Sequence, residues 1–143
     1  MIIKGRPIAT WRKHGQHLLK IRQDGQPKTR SWNEQVELVC ACNVLAGENV
    51  QAALREMATV AVGSKCYRWL YSASINPSGA GGRELTDEEA EYAAKVLLKE
   101  LGFTDDHSWL LIRHVKEGRS HFHVCANRVD PVTLRAVDLG WNY

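Results

Sequence analysis

The sequence predicts an α+β fold, an antiparallel-rich sheet with helices packed on it. Three observations lead there. Apolar residues switch between period-two runs and helical stripes in the order strand, helix, strand, helix, strand, helix, strand, strand. The last two strands are joined by Glu117-Gly118, a link long enough only for a hairpin. Thr86-Asp87-Glu88-Glu89 has the capping-box pattern, in which Thr86 caps the amide at position 89 and Glu89 reaches back to the amide of Thr86.

Taken in order, residues 1–5, MIIKG, form a short edge strand. Residues 9–22 read as an amphipathic helix carrying Trp11, His14, Leu18, Leu19 and Ile21, interrupted by Gly15. QDGQPKTRSWN at 23–33 is a polar, turn-rich loop. QVELVCAC at 35–42 alternates and then turns apolar, as a strand does. Residues 49–62 align Val50, Ala53, Leu54, Met57 and Ala61 on one helical stripe, stopped by Gly63.

CYRWLYSASI at 66–75 is aromatic and β-prone, with Tyr67 and Tyr71 packed on the sheet, and Asn76-Pro77 ends it. SGAGG at 78–82 is a connector. The helix that starts at Thr86 turns Ala90, Ala93, Ala94, Leu97 and Leu101 inward and ends at Gly102. Residues 108–116 and 119–128 form the closing hairpin, and 131–139 add a last short strand. The helices are expected to cover one face and to leave the other partly open for a ligand.

The 143 residues suit a single domain spanning 1–143 with a real core. No apolar run reaches the roughly 18 residues of a membrane span, so membrane insertion is not expected. The N-terminus lacks an apolar stretch of signal-peptide length. Cys40, Cys42, Cys66 and Cys125 include no C-x-x-C pair, and are read as reduced, mostly buried thiols suited to the cytoplasm.

The net charge is +3, with a pI near 8.7. Lys and Arg crowd residues 4–30, where Asp24 is the one acid, whereas 84–106 is acid-rich. A basic N-terminal third either attracts phosphate by counterion release or is a solvated face.

The most informative segment is His114-Val-Lys-Glu-Gly-Arg-Ser-His121-Phe-His123. Strand side chains alternate, so His121 and His123 share a face. A two-residue turn at Glu117-Gly118 pairs Lys116 with Arg119, sets His114 opposite His121, and puts His123 across from Ile112. Three imidazoles then gather on one face, with Cβ atoms of opposed residues roughly 4.5–5.5 Å apart. Such a set suits a divalent metal with open positions for water or a phosphate oxygen. Imidazole suits Zn, Ni, Co, Fe or Mn. A slip of one residue undoes the arrangement. Without metal, the same residues are polar groups on an exposed strand.

RHVKEGRSHFHVCANRVD resembles the third motif of the relaxases, the mobilisation nucleases of plasmids and integrative elements. MIIKGR, YSASINP followed by LTDEE and a helix, and the terminal WNY are similar in order and spacing. The resemblance implies an HUH/relaxase-like fold, a five-stranded antiparallel sheet with the H-hydrophobe-H on a central strand. The implied activity is site- and strand-specific nicking of DNA at a transfer origin, with the nucleophilic side chain left joined to the 5′ end. The implied cofactor is a divalent ion held by His114, His121 and His123, with Mn, Mg, Zn, Ni and Co not distinguished. The implied partners are single-stranded DNA, accessory relaxosome proteins and a type IV secretion coupling protein. The protein is then cytoplasmic in a bacterium and travels to a recipient cell with the strand.

One departure concerns the nucleophile. The family's usual residue is a Tyr in the N-terminal helix, and residues 1–66 contain no Tyr. His17, in GQHLLK, stands at that place, and imidazole can act as a nucleophile. The alternative is a DNA-binding module that lost cleavage with the Tyr. Arg12, Lys13, Lys20 and Arg22 surround His17 and suit a single-stranded backbone. Lys116 and Arg119 flank the turn, where they either hold neighbouring phosphates or are solvated. Trp11 and Trp32 either stack on bases or pack in the core, and Asn127 is placed to orient a ligand or water.

Overall fold

The computed structural model describes residues 2–20, 35–76 and 83–140. Arg22, Trp32, the 23–33 loop, the 78–82 connector and Tyr143 lie outside the described residues. The elements are β1 (Ile2–Ile8), α1 (Trp11–Leu18), β2 (Gln35–Cys42), α2 (Val50–Val62), β3 (Leu70–Asn76), α3 (Asp87–Glu100), β4 (Trp109–Lys116) and β5 (Arg119–Asn127). The five strands form one sheet in the order β1-β3-β5-β4-β2, and each neighbouring pair is antiparallel. The α+β expectation and the central position of the H-hydrophobe-H strand both hold.

Helices pack on both faces, not on one. Leu110, Ile112 and Cys125 join α1 and α2 in one apolar cluster, whereas Leu111, Val124 and Ala126 join α3 in another. The cause is visible in β4, where Trp109, Leu110, Leu111 and Ile112 are all buried. A strand apolar on both sides must be covered twice.

α2 buries Val50, Ala53, Leu54, Met57 and Ala61, the predicted stripe, and Asn49 caps its start by accepting from the Ala52 amide at 3.0 Å. α3 has both capping-box bonds at 3.1 Å, and Ala90, Ala94 and Leu98 are its buried residues. Arg113 ties this face together. It pairs with Glu37 on β2 and, at 3.3 Å, with Asp87 in the first turn of α3.

Several boundaries differ from expectation. Gly15 does not interrupt α1. It is buried, and a Cβ there would sit 2.9 Å from Leu54 Cδ1, so the missing side chain lets α1 lie close on α2. β3 starts at Leu70, not at 66, because the Ser64 hydroxyl donates to the Ala61 carbonyl and accepts from the Cys66 amide, bending the chain. Tyr67 is consequently 79% exposed, whereas Tyr71 is buried.

Residues 131–139 form a tight loop with one bridge, Val129 to Ala136, instead of a strand. Asp130 drives this, since its carboxylate accepts from the Val132 amide at 2.8 Å. All four cysteines are free, but Cys125 alone is buried; the other three are half-buried, two of them on the edge strand β2.

The β4–β5 turn puts Glu117 at φ 53 and Gly118 at φ 73. Two positive values are the type I′ pattern, whose twist matches that of the strands it joins. Gly118→Val should cost about 2 kcal/mol, because a branched residue is forced into the left-handed region. The check is a urea melt. An unchanged midpoint would mean that the turn does not depend on glycine.

Candidate metal centre

The hairpin delivers the predicted register. Lys116 pairs with Arg119, His114 with His121, and Ile112 with His123. The ring centroids lie 5.2 Å apart for His114–His121, 4.4 Å for His114–His123 and 5.2 Å for His121–His123. One potential ligand atom from each ring falls within 4.8 Å of the others.

Electrostatics keep these rings neutral. Burial, reinforced by His121, lowers the His114 pKa to about 4. Burial, then His114 and His121, lowers that of His123 to about 2. His121 is lowered too, by burial and by the Lys116 charge. Neutral imidazoles present lone pairs, the form in which a metal is bound.

The donor set fits a divalent ion. His114 is 3% exposed and hydrogen-bonds the backbone of Leu18 in α1, while its Nε2 is buried without a partner. A metal-binding histidine typically has this form, one nitrogen fixed by a carbonyl and the other open. An unpaired buried nitrogen is costly in an ordinary core.

α1 lies over the centre. His17 is exposed near its end, and its charge is felt by His14, His114 and His123. Arg12 and Lys13 are exposed on α1, and Lys20 is exposed just beyond it. Lys116 is half-buried beside His121, and Arg119 is exposed directly opposite Lys116. By register, Lys116 and Arg119 stand on the histidine face.

Asn127 does not serve this site. It is 1% exposed, donates to the Met57 carbonyl at 3.0 Å and accepts from the Val129 amide at 3.0 Å. Its amide anchors α2 to the end of β5 and is used up in doing so.

Three residues near the site were not anticipated. His14 Nε2 lies 2.7 Å from Ser72 Oγ, and burial, with His17 and Arg6, lowers its pKa to about 4. Its apolar-stripe position in α1 concealed it. Lys4 and Arg6 lie directly opposite Ser74 and Ser72, and Ser74 lies opposite His123. Both cations therefore stand on the histidine face of edge strand β1, as the alternation in IIKGRPI could have indicated.

The depressed imidazoles set a pH dependence. Unfolded, His14 and His114 take up protons near 6.5; folded and metal-free, they resist until about 4. The unfolded state binds more protons in that window, so stability is full above it and falls as pH drops from 6.5 towards 4. Urea midpoints measured in EDTA across this range should decline, and His14→Gln should flatten the decline. A flat profile for the unaltered protein would show that these rings titrate normally.

The family model described as relaxase, MobA/VirD2-like, nuclease domain, matches residues 24–143. The match includes His114, His121 and His123 and leaves out α1 with His17. No curated protein and no solved structure matches the chain. With most of its length covered by that model, the chain belongs to the MobA/VirD2-like relaxase nuclease-domain family.

Proposed function

We propose that this relaxase-family domain makes a site- and strand-specific nick in single-stranded DNA at a transfer origin, using a divalent metal on His114, His121 and His123. The single observation that carries this is the set of three neutral imidazoles under α1, with His114 Nε2 buried and unpartnered. A bound ion supplies Lewis-acid polarisation of a phosphoryl oxygen.

The protein's own groups do the rest. Arg12, Lys13, Lys20 and Arg22 hold the strand along and beyond α1, and Lys116 and Arg119 hold phosphates at the hairpin. Cations facing the strand both bind it and align the phosphate for attack. A His17 ring nitrogen attacks the phosphorus, a P–N bond forms, and the bond to the 3′ oxygen breaks. That oxygen takes a proton from solvent and leaves as a 3′ hydroxyl, while the 5′ phosphate stays on His17. The exposure of His17 and its electrostatic proximity to His114 and His123 support this role.

In this reading the domain works in the cytoplasm beside accessory relaxosome proteins. It then passes to a recipient with the strand through a type IV coupling protein. Among the described residues no helix is long and apolar enough to cross a membrane.

The test is incubation with labelled oligonucleotides tiled across a candidate transfer origin, with Mn or Mg and with EDTA, on a denaturing gel. Metal-dependent nicking with label retained on the protein is expected, and peptide mass spectrometry should locate the phosphate on His17. His17→Ala should abolish the adduct and leave metal binding intact. His123→Ala should weaken metal binding by more than the roughly 10–100-fold that supporting partners contribute. An adduct formed by His17→Ala would remove that residue from the role. Retention of an origin oligonucleotide without nicking, where a related relaxase cleaves it, would make this a binding module that lost cleavage with the Tyr.

A further inference from the structure

The end of α1 farther from the histidines borders a groove of about 420 Å³. We propose that it is a base-stacking subsite for the single-stranded DNA handled at the metal centre, an inference that rests on the function proposed above. Tyr67, Trp11, Trp69 and Lys65 are among the residues that line it.

The surface there is unusual for a solvated bend. Tyr67 is 79% exposed and Val62 83%, and both line the groove. Trp69 is buried and supports Trp11, with ring centroids 6.4 Å apart and planes inclined by 52°. The Arg12 guanidinium lies 4.9 Å over the Trp11 ring. Lys65 and Arg68 are exposed on either side of Tyr67, and neither forms an ion pair among the described residues. The groove lining contains no acid.

This combination selects one occupant. An exposed tyrosine ring with the exposed cations Lys65 and Arg68 beside it in the chain suits a nucleobase carried on a phosphate backbone. A phosphate alone gains nothing from Tyr67 and Val62. An acidic peptide would satisfy Lys65 and leave the Tyr67 ring uncovered.

The groove is also connected to the proposed chemistry. Trp11 begins α1 and Leu18 ends it, a span of about 10 Å. Leu18 is the backbone partner of His114, so one helix has the groove at its start and the histidine centre at its end. Between them Lys13 and His17 lie one turn apart on the exposed side. A strand seated in the groove thus follows α1 towards His17 over a few nucleotides, and the groove reads bases at a fixed offset from the nicked phosphate.

The test is fluorescence anisotropy with a labelled oligothymidylate of about twenty nucleotides, against an abasic strand of equal length. Tyr67→Ala should weaken oligothymidylate binding about tenfold, and Tyr67→Phe should retain it. The abasic strand should bind the unaltered protein and Tyr67→Ala equally. Lys65→Gln should lower the salt dependence by about one phosphate contact, whereas Tyr67→Ala should leave it unchanged. Tyr67 is exposed, so its replacement spares the core, and circular dichroism verifies this. If Tyr67→Ala binds oligothymidylate as the unaltered protein does, the subsite is overturned and the nicking function stands. If the unaltered protein binds neither oligothymidylate nor an origin oligonucleotide, both fall.

Discussion

The register of the β4–β5 hairpin is the constraint on which the site depends. Glu117 and Gly118, both at positive φ, fix the offset between the strands, and that offset sets His114 opposite His121. Side-chain direction in a sheet has a period of two, so one residue of slip would turn His121 and His123 into the α3 core and bring Phe122 to the other face. The turn is not the only restraint. β5 is central, paired with β3 as well as β4, and Phe122 and Val124 are completely buried against α3. A slipped register would move these two side chains to the polar face under α1 and bury two imidazoles among apolar groups, so the core itself guards the geometry.

The two faces of the sheet divide the work. The α3 face is a closed apolar layer, pinned at the helix start by the capping box and by Arg113 bridging Glu37 and Asp87. The opposite face is apolar where α2 covers it and polar where α1 reaches the histidines. Gly15 matters here because the close approach of α1 to α2 sets the position of Leu18, and Leu18 in turn orients His114. A small residue in a helix therefore helps to aim an imidazole on a strand far away in sequence.

Charge is arranged by the same architecture. The central rings are kept neutral by burial and by one another, so nothing at the centre repels a cation strongly. Around them stand cations from four elements: Lys4 and Arg6 on β1, Lys13 on α1, Lys116 on β4 and Arg119 on β5. Neutral metal-competent nitrogens inside a basic surround are suited to a polyanion whose phosphate is to be polarised. The net charge of +3 understates this, because the acids are concentrated elsewhere, many of them on and before α3.

The sequence by itself determined the element order, the α2 stripe, the capping box at Thr86 and the three-histidine register. Each of these follows from local rules: a periodicity, a cap, or a two-residue turn whose geometry admits one pairing. Only the tertiary structure decided which surfaces meet. The doubly apolar β4 drew helices to both faces. Gly15 proved to be a contact point between helices, and Asn127 was taken by the Met57 carbonyl. Tyr67 was turned outward by a bend that Ser64 stabilises, and His14 was turned inward to Ser72. The contacts of Gly15 with Leu54, His14 with Ser72 and Asn127 with Met57 join residues 39, 58 and 70 positions apart, whereas the Ser64 bend is local and its effect on Tyr67 shows only once the sheet is in place. Spacing along the chain encodes local geometry, but burial and hydrogen-bond partners are set only when distant segments compete for the same space.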